Sequence, residues 1–161
     1  MEIPVHFASI NWAGHERVDP DQGAIRDLVL ARLATLDGRG VWAFGFWPLP
    51  DGTHPDRPER TAAFEYMQSA GTANRMTVEV RWFEDDDVLR QYVVGREHDE
   101  IQGAPWEDIP WGMNGHVVRV RPHEAFTAEQ AAAVYEAYFE TGNVPSGCTL
   151  RYLDMSVDPA V

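Results

Sequence analysis

Three groups of residues in this chain have the types that do chemistry. His98, Asp99 and Glu100 are adjacent, with His116 and His123 downstream. Imidazoles and carboxylates are the ligands of zinc and similar ions. Neighbours on extended chain point opposite ways, so this triplet does not chelate as a block. No H-x-x-x-H or H-E-x-x-H helix is present. The second group is the acidic run Glu84, Asp85, Asp86 and Asp87, which lacks the glycine and the closing glutamate of a calcium loop. The third is the nucleophiles. Ser69, Ser146 and Ser156 have no G-x-S-x-G setting, and Cys148 has no base beside it in sequence. There is no glycine-rich phosphate loop and no dinucleotide fingerprint. The expectation is a protein that is not an enzyme and uses no cofactor and no metal.

Binding chemistry is better represented. The chain carries 26 acidic residues against 13 basic ones, a formal net charge of −13. Such a chain repels nucleic acid and anionic membranes at long range and attracts a basic protein. Trp106-Glu107-Asp108 and Pro110-Trp111 set two indoles beside carboxylates. Tight interfaces are built from desolvated Trp anchors ringed by complementary charge. Four like charges at Glu84, Asp85, Asp86 and Asp87 repel one another, and a cationic partner relieves that repulsion. The expected contact residues are therefore Glu84, Asp85, Asp86, Asp87, Glu97, Asp99, Glu100, Trp106, Glu107, Asp108 and Trp111. The competing reading of Trp106 and Trp111, that they tuck their loop onto a sheet, stays open at this point.

These residues need elements to position them. Residues 3–10 alternate weakly as a strand, and 11–16 read as a loop. Asp19-Pro20 has the chemistry of an N-cap and first helical residue, and Ile25, Leu28, Val29, Arg32, Leu33 and Leu36 carry a helix to about residue 36, Arg32 alone breaking the apolar stripe with a stem that can snorkel. Residues 41–47 form a strand whose Ala43 and Gly45 side admits a close neighbour. Residues 48–60 are a proline-rich loop, and 61–68 lean to strand. Residues 76–83 and 88–95 make a hairpin whose loop is the acidic run. The span 96–113, with two prolines among its acids, reads as a long loop, a feature usually tied to function or mobility. A strand at 115–121 follows.

The C-terminal unit is the clearest. Thr127 and Gln130 have the spacing of a capping box. Ala131, Val134, Tyr135, Tyr138 and Phe139 form one apolar stripe. Gly142 and Pro145 stop the helix, and residues 149–153 form a strand. The order predicts one α+β domain over residues 1–161, a two-layer fold. Its sheet is mostly antiparallel, with two main helices packed on one face.

The run FTAEQAAAVYEAYFETGNVPSGCTLRYLD resembles the C-terminal signature of the first numbered Imm-type immunity protein family, found beside bacterial polymorphic toxins. In that family a helix ends in a TG-x-x-P element and leads into a final strand. Thr141, Gly142, Pro145 and residues 149–153 match; Tyr152 stands where the family often has Trp. The resemblance implies a protein that binds and neutralises a cognate toxin domain, a nuclease or nucleic-acid deaminase, whose substrate channel is positively charged. Two other readings compete. One is an acidic nucleic-acid mimic that blocks a DNA-binding protein. The other is a small metal-dependent enzyme using His98, Glu100, His116 or His123. A single cysteine, no basic-then-apolar leader and no bilayer-length apolar run point to the cytoplasm.

Overall fold

Thr127 and Gln130 form the reciprocal cap that their spacing predicts. In a computed structural model, which describes residues 2–50, 64–98 and 105–154, the Gln130 N–H donates to the Thr127 hydroxyl at 3.2 Å. The Thr127 N–H donates to the Gln130 side chain at 3.0 Å. Helix α2, Ala128–Thr141, runs from this cap to Gly142, whose φ of 75° closes it in the left-handed region. Ala131, Val134, Tyr135, Tyr138 and Phe139 are all buried.

The first half of the chain forms strand β1, His6–Ile10, strand β2, Ala13–Val18, helix α1, Ile25–Leu33, and strand β3, Ala43–Pro48. Two expectations are corrected here. Residues 11–16, expected as a loop, supply most of β2. Asn11 and Trp12 turn the chain with φ of 55° each. The strand they launch lies at the sheet edge and is almost wholly exposed, so it carries no apolar alternation to read. The helix expected from Pro20 to residue 36 is also broken. Asp19 caps only a 3-10 turn, Pro20–Gln22, by accepting from the Asp21 N–H at 2.9 Å. Gly23, at φ 151°, ends that turn, and α1 begins two residues later.

The second half supplies strands β4, Tyr66–Thr72, β5, Arg75–Met76, β6, Glu79–Phe83, and β7, Leu89–Gly95. A separate hairpin of β8, Glu107–Trp111, and β9, His116–Val120, precedes α2, and β10, Thr149–Leu153, ends the order. The span 96–113, expected to be one loop, thus contains a strand. Pro110 and two acids hide its alternation, yet Ile109 is buried and pairs with Val118. The strand expected over 76–83 divides between β5 and β6, with Thr77 bonding back to the Ala70 carbonyl at 2.9 Å.

The main sheet has the order β10-β7-β6-β4-β3-β1-β2, with β5 beside β4, and every pair is antiparallel. Both helices pack on one face, over Ala8, Phe44, Phe46, Met67, Val80 and Val94. The two-layer α+β architecture is as predicted. The pleat turns the next set of residues, Phe7, Trp47, Tyr66 and Glu79, to the opposite face. There Gly45 admits the Trp12 indole, which would lie 2.5 Å from a Cβ at that position. Among the described residues no helix is long and apolar enough to cross a membrane.

The β8–β9 hairpin seats on the end of β4 through one glycine. Gly71 has φ 127°, and a Cβ there would lie 2.5 Å from the Arg75 carbonyl oxygen and 2.9 Å from Ile109 Cγ2. Gly71→Ala therefore combines backbone strain with a clash, and should cost about 2–4 kcal/mol. The check is the urea midpoint; one equal to wild type would show that this seat is not tight.

Candidate interaction surface

The acidic run folds as a short turn between β6 and β7. The Glu84 N–H donates to the Val88 carbonyl at 3.0 Å and the Asp87 N–H to the Glu84 carbonyl at 2.9 Å. Asp87 takes a left-handed φ of 59°. Its four carboxylates are not equivalent. Glu84 Oε1 accepts from the Tyr92 hydroxyl at 2.5 Å and the Trp82 indole N–H at 3.0 Å. Those two donors, Tyr92 first, hold its carboxyl below the ordinary range. Asp86 receives both guanidinium nitrogens of Arg90, at 2.7 and 3.0 Å, and the Val88 N–H at 3.1 Å. Its carboxyl is likewise held low, chiefly by Arg90. Asp85 and Asp87 are exposed, with no ion pair among the described residues.

Register brings more negative charge to this end. His6 pairs with Pro48, so β1 begins where β3 ends. Tyr66 pairs with Arg81, so β4 begins where β6 ends. Helix α2 also ends here. Glu65 follows this geometry, its Oε1 accepting from the Phe83 N–H at 2.9 Å. A cavity of about 170 Å³ opens between these elements, with Glu2, His6, Glu65, Trp82, Tyr138, Phe139 and Glu140 in its wall. The last turn of α2 has no basic residue and does have Glu140. A carboxylate at a helix C-terminus opposes the helix dipole. The end of the molecule formed by these elements is an acidic pole.

His6 sits at the floor of that pole. It is 2% exposed and packs on Phe46 and Phe139 at 5.0 and 4.7 Å between ring centres. Its Nδ1 lies 2.8 Å from the Pro4 carbonyl oxygen, which sets Nδ1 as the N–H donor. Burial pushes its pKa down to about 4, against that hydrogen bond.

The other expected contact residues that are described lie at the opposite end. Strand β6 runs the length between the two, about 16 Å for its five residues. Trp106 is 45% exposed, with the Arg121 guanidinium 3.7 Å from its ring centre and that of Arg151 at 5.1 Å. Arg151 in turn grips the buried Glu124 with two bonds, 2.8 and 3.1 Å. Glu107 pairs with Arg75 at 2.6 Å and Asp108 with Arg119 at 3.3 Å. Trp111 is half-buried, tilted against Trp42 at 4.7 Å and stacked on His116 at 4.6 Å. Of the two tryptophans, then, Trp111 tucks its strand down and Trp106 faces solvent. Glu97 is exposed on this side, beside Gly147. Asp99 and Glu100 fall outside the described residues. The expected surface is therefore two surfaces, and at the Trp106 end Glu107 and Asp108 are each matched by an arginine.

The histidines named as ligand candidates are placed as follows. His98 and His123 have ring centres 5.1 Å apart, while His116 is engaged with Trp111. His123 is buried, with no hydrogen bond to Nδ1 among the described residues, and burial lowers its pKa. Among the described residues no three His, Cys, Asp or Glu gather as metal ligands. Cys148 is half-buried against the core, and that burial pushes its thiol pKa up.

Sequence reasoning missed Glu79. It lies between two valines in an alternating strand, and it is 8% exposed. The pairing of β6 with β4 and β7 sets Gln68 and Gln91 around it, and both amides donate to its Oε2, at 2.6 and 3.1 Å. Tyr66 and Trp12 complete the set by donating to the oxygens of Gln91 and Gln68 at 3.0 and 3.1 Å. Desolvation still pushes the Glu79 pKa up. The signal available in sequence was a polar residue in each of three strands, at positions that become neighbours only once register is known.

Two outcomes follow for stability. Glu79→Ala leaves the Gln68 and Gln91 amides without their acceptor and should cost about 1–3 kcal/mol in denaturant unfolding; Glu79→Gln keeps an acceptor there and should cost less. The His6 shift works the other way with pH. A depressed imidazole pKa gives stability that is full above 6.5 and is lost as pH falls toward 4, on the order of 3 kcal/mol in all. Melting curves between pH 4 and 8 should show this loss in the wild type and a smaller one in His6→Phe; parallel curves would refute it.

No protein-family model matches the chain, and comparison with curated proteins and with solved structures finds no match.

Proposed function

We propose that this chain is an immunity protein that binds a cognate, positively charged bacterial toxin domain and neutralises it through the acidic pole. One observation carries the reading. Glu140 at the end of α2, Glu65, and the turn of Glu84, Asp85, Asp86 and Asp87 share one end of the fold. Arg90, already bound to Asp86, is the base in their turn. Glu140 against its own helix dipole, and Asp85 and Asp87 beside like charges, carry a penalty in the free protein, whereas Glu84 and Asp86 are already satisfied within it. A basic partner removes that penalty on binding and gains an electrostatically steered encounter. The formal net charge of −13 acts in the same direction at longer range.

The helix–TG-x-x-P–strand signature supports the class. Gly142 is the left-handed stop of α2, the Cys148 N–H closes a turn on the Pro145 carbonyl at 3.0 Å, and β10 follows at once. A toxin acting on nucleic acid has the basic channel that such a pole complements. The reading requires a cytoplasmic protein, since the toxin's target is there. Trp106, exposed at the far end, is a second contact for a partner large enough to span both. A nucleic-acid mimic fits less well. It needs a row of unpaired anions at phosphate spacing, and Asp86, Glu107 and Asp108 are each taken by an arginine.

The test uses the toxin domain encoded beside this chain. Asp85→Arg with Asp87→Arg changes two exposed side chains that make no hydrogen bond or ion pair among the described residues, and Asp87→Asn, which tolerates the left-handed φ, is the control for the turn. The double variant should slow association about tenfold or more at low salt and flatten its dependence on ionic strength. Stopped-flow measurement over a salt series reads both. Unchanged rates would mean that the acidic pole is not the contact, and absence of any stoichiometric complex would end the reading.

A further inference from the structure

We infer that the cavity at the acidic pole is a receptor for a single arginine side chain of the partner protein. This rests on the partner-binding reading above and names what the same site takes.

Size excludes much else. At about 170 Å³ the cavity falls well short of the roughly 300 Å³ or more of small-molecule sites. It holds several waters' worth of space, enough for one long side chain. Its walls combine two chemistries. Trp82, Tyr138, Phe139 and His6 present aromatic surface, while Glu65 and Glu140 bring carboxylates to it. The C-terminal carbonyl end of α2, with Thr141 and Gly142, adds the negative end of a helix dipole. Flat aromatic walls with negative charge suit a planar, weakly hydrated cation. The guanidinium group is that cation, and its three-carbon stem packs on rings as the head reaches the carboxylates.

Two buried polar groups give an independent reason. His6 is 2% exposed and Tyr138 is 3% exposed, and both line the cavity. With Nδ1–H on the Pro4 carbonyl, His6 offers Nε2 as an acceptor, and Nε2 has no hydrogen-bond partner among the described residues. The Tyr138 hydroxyl has none there either. Neither atom is sealed from water, so both can bond whatever enters the cavity, and a side chain with five N–H groups supplies donors to both. The depressed His6 pKa keeps that imidazole neutral, hence an acceptor, at pH 7. A divalent metal fits less well, because no group of three ligand side chains gathers here among the described residues.

The full chain can be titrated with N-acetyl-arginine amide at constant ionic strength, following the Trp82 indole and Gly142 amide signals by NMR. N-acetyl-citrulline amide, neutral and of the same shape, is the control, and N-acetyl-lysine amide is the second. Saturable shifts at both signals with arginine, weaker ones with lysine and none with citrulline are expected. Glu140→Gln, on the exposed rim, should weaken arginine binding about two- to fivefold, and Tyr138→Phe by a similar factor. No saturable shift, citrulline or lysine equal to arginine, or indifference to both substitutions would overturn the inference. A chain that binds its toxin but not the arginine amide loses this receptor and keeps its proposed function. One that binds the arginine amide but no toxin keeps the receptor and loses the function.

Discussion

Tyr135 is the point on which the two layers close. It is fully buried, its ring edge-on to Phe44 at 5.3 Å and to Phe46 at 5.6 Å. Its hydroxyl meets Ser69 at 2.9 Å, a polar pair inside an apolar interface. The aromatic contacts supply burial, and the hydroxyl pair sets the position of α2 along the sheet, since sliding the helix would strand two buried hydroxyls. Burial pushes the phenol pKa well above its usual value, so the pair stays neutral across ordinary pH. Everything at the acidic pole inherits its place from this contact. Helix α2 ends beside β1 and β6 because Tyr135 is pinned to β4.

The two ends of the sheet solve opposite electrostatic problems. At the Trp106 end, Glu107 and Asp108 each have an arginine on them, and Glu124, 2% exposed at its side chain, has a bidentate one. All 13 basic residues in the chain are arginines. Their planar forks suit paired bonds to carboxylates and stacking over indole rings better than a lysine ammonium does. At the acidic pole the same device is used once among the described residues, between Arg90 and Asp86. Glu84 and Glu65 are held there by neutral donors, the Tyr92 hydroxyl, the Trp82 indole and the Phe83 N–H.

The face away from the helices shows how a sheet can hide a carboxylate. Glu79 is surrounded by two glutamine amides, a tyrosine and a tryptophan drawn from the turn after β1 and from β4 and β7. Each donor on this network has an acceptor, so a polar cluster stands where an apolar core would otherwise be needed. The arrangement fixes register as well. A shift of one residue in β6 would send Glu79 toward the helices and Val80 to the amides.

Much of this was legible in the residues. The cap, stripe and stop of α2 are local chemistry, satisfied within a few positions of one another, and they form as written. The β6–β7 hairpin and the acidic turn are equally local. From these alone an α+β fold with helices on one face follows, because an aromatic stripe must be covered by something flat. Other features depend on partners distant in sequence. Strand β2 has no buried face and exists only because β1 offers it an edge. Strand β8 is cut by Pro110 and reads as loop until β9 pairs with it. Glu79 is buried by residues 11 and 12 positions away, and the carboxylates expected to form one surface were divided by the length of a strand. Charge and residue type belong to the chain. Which charges are paired, and which are left facing outward, is decided by register and packing, since the energy of an ion pair depends on distances that only the folded sheet sets.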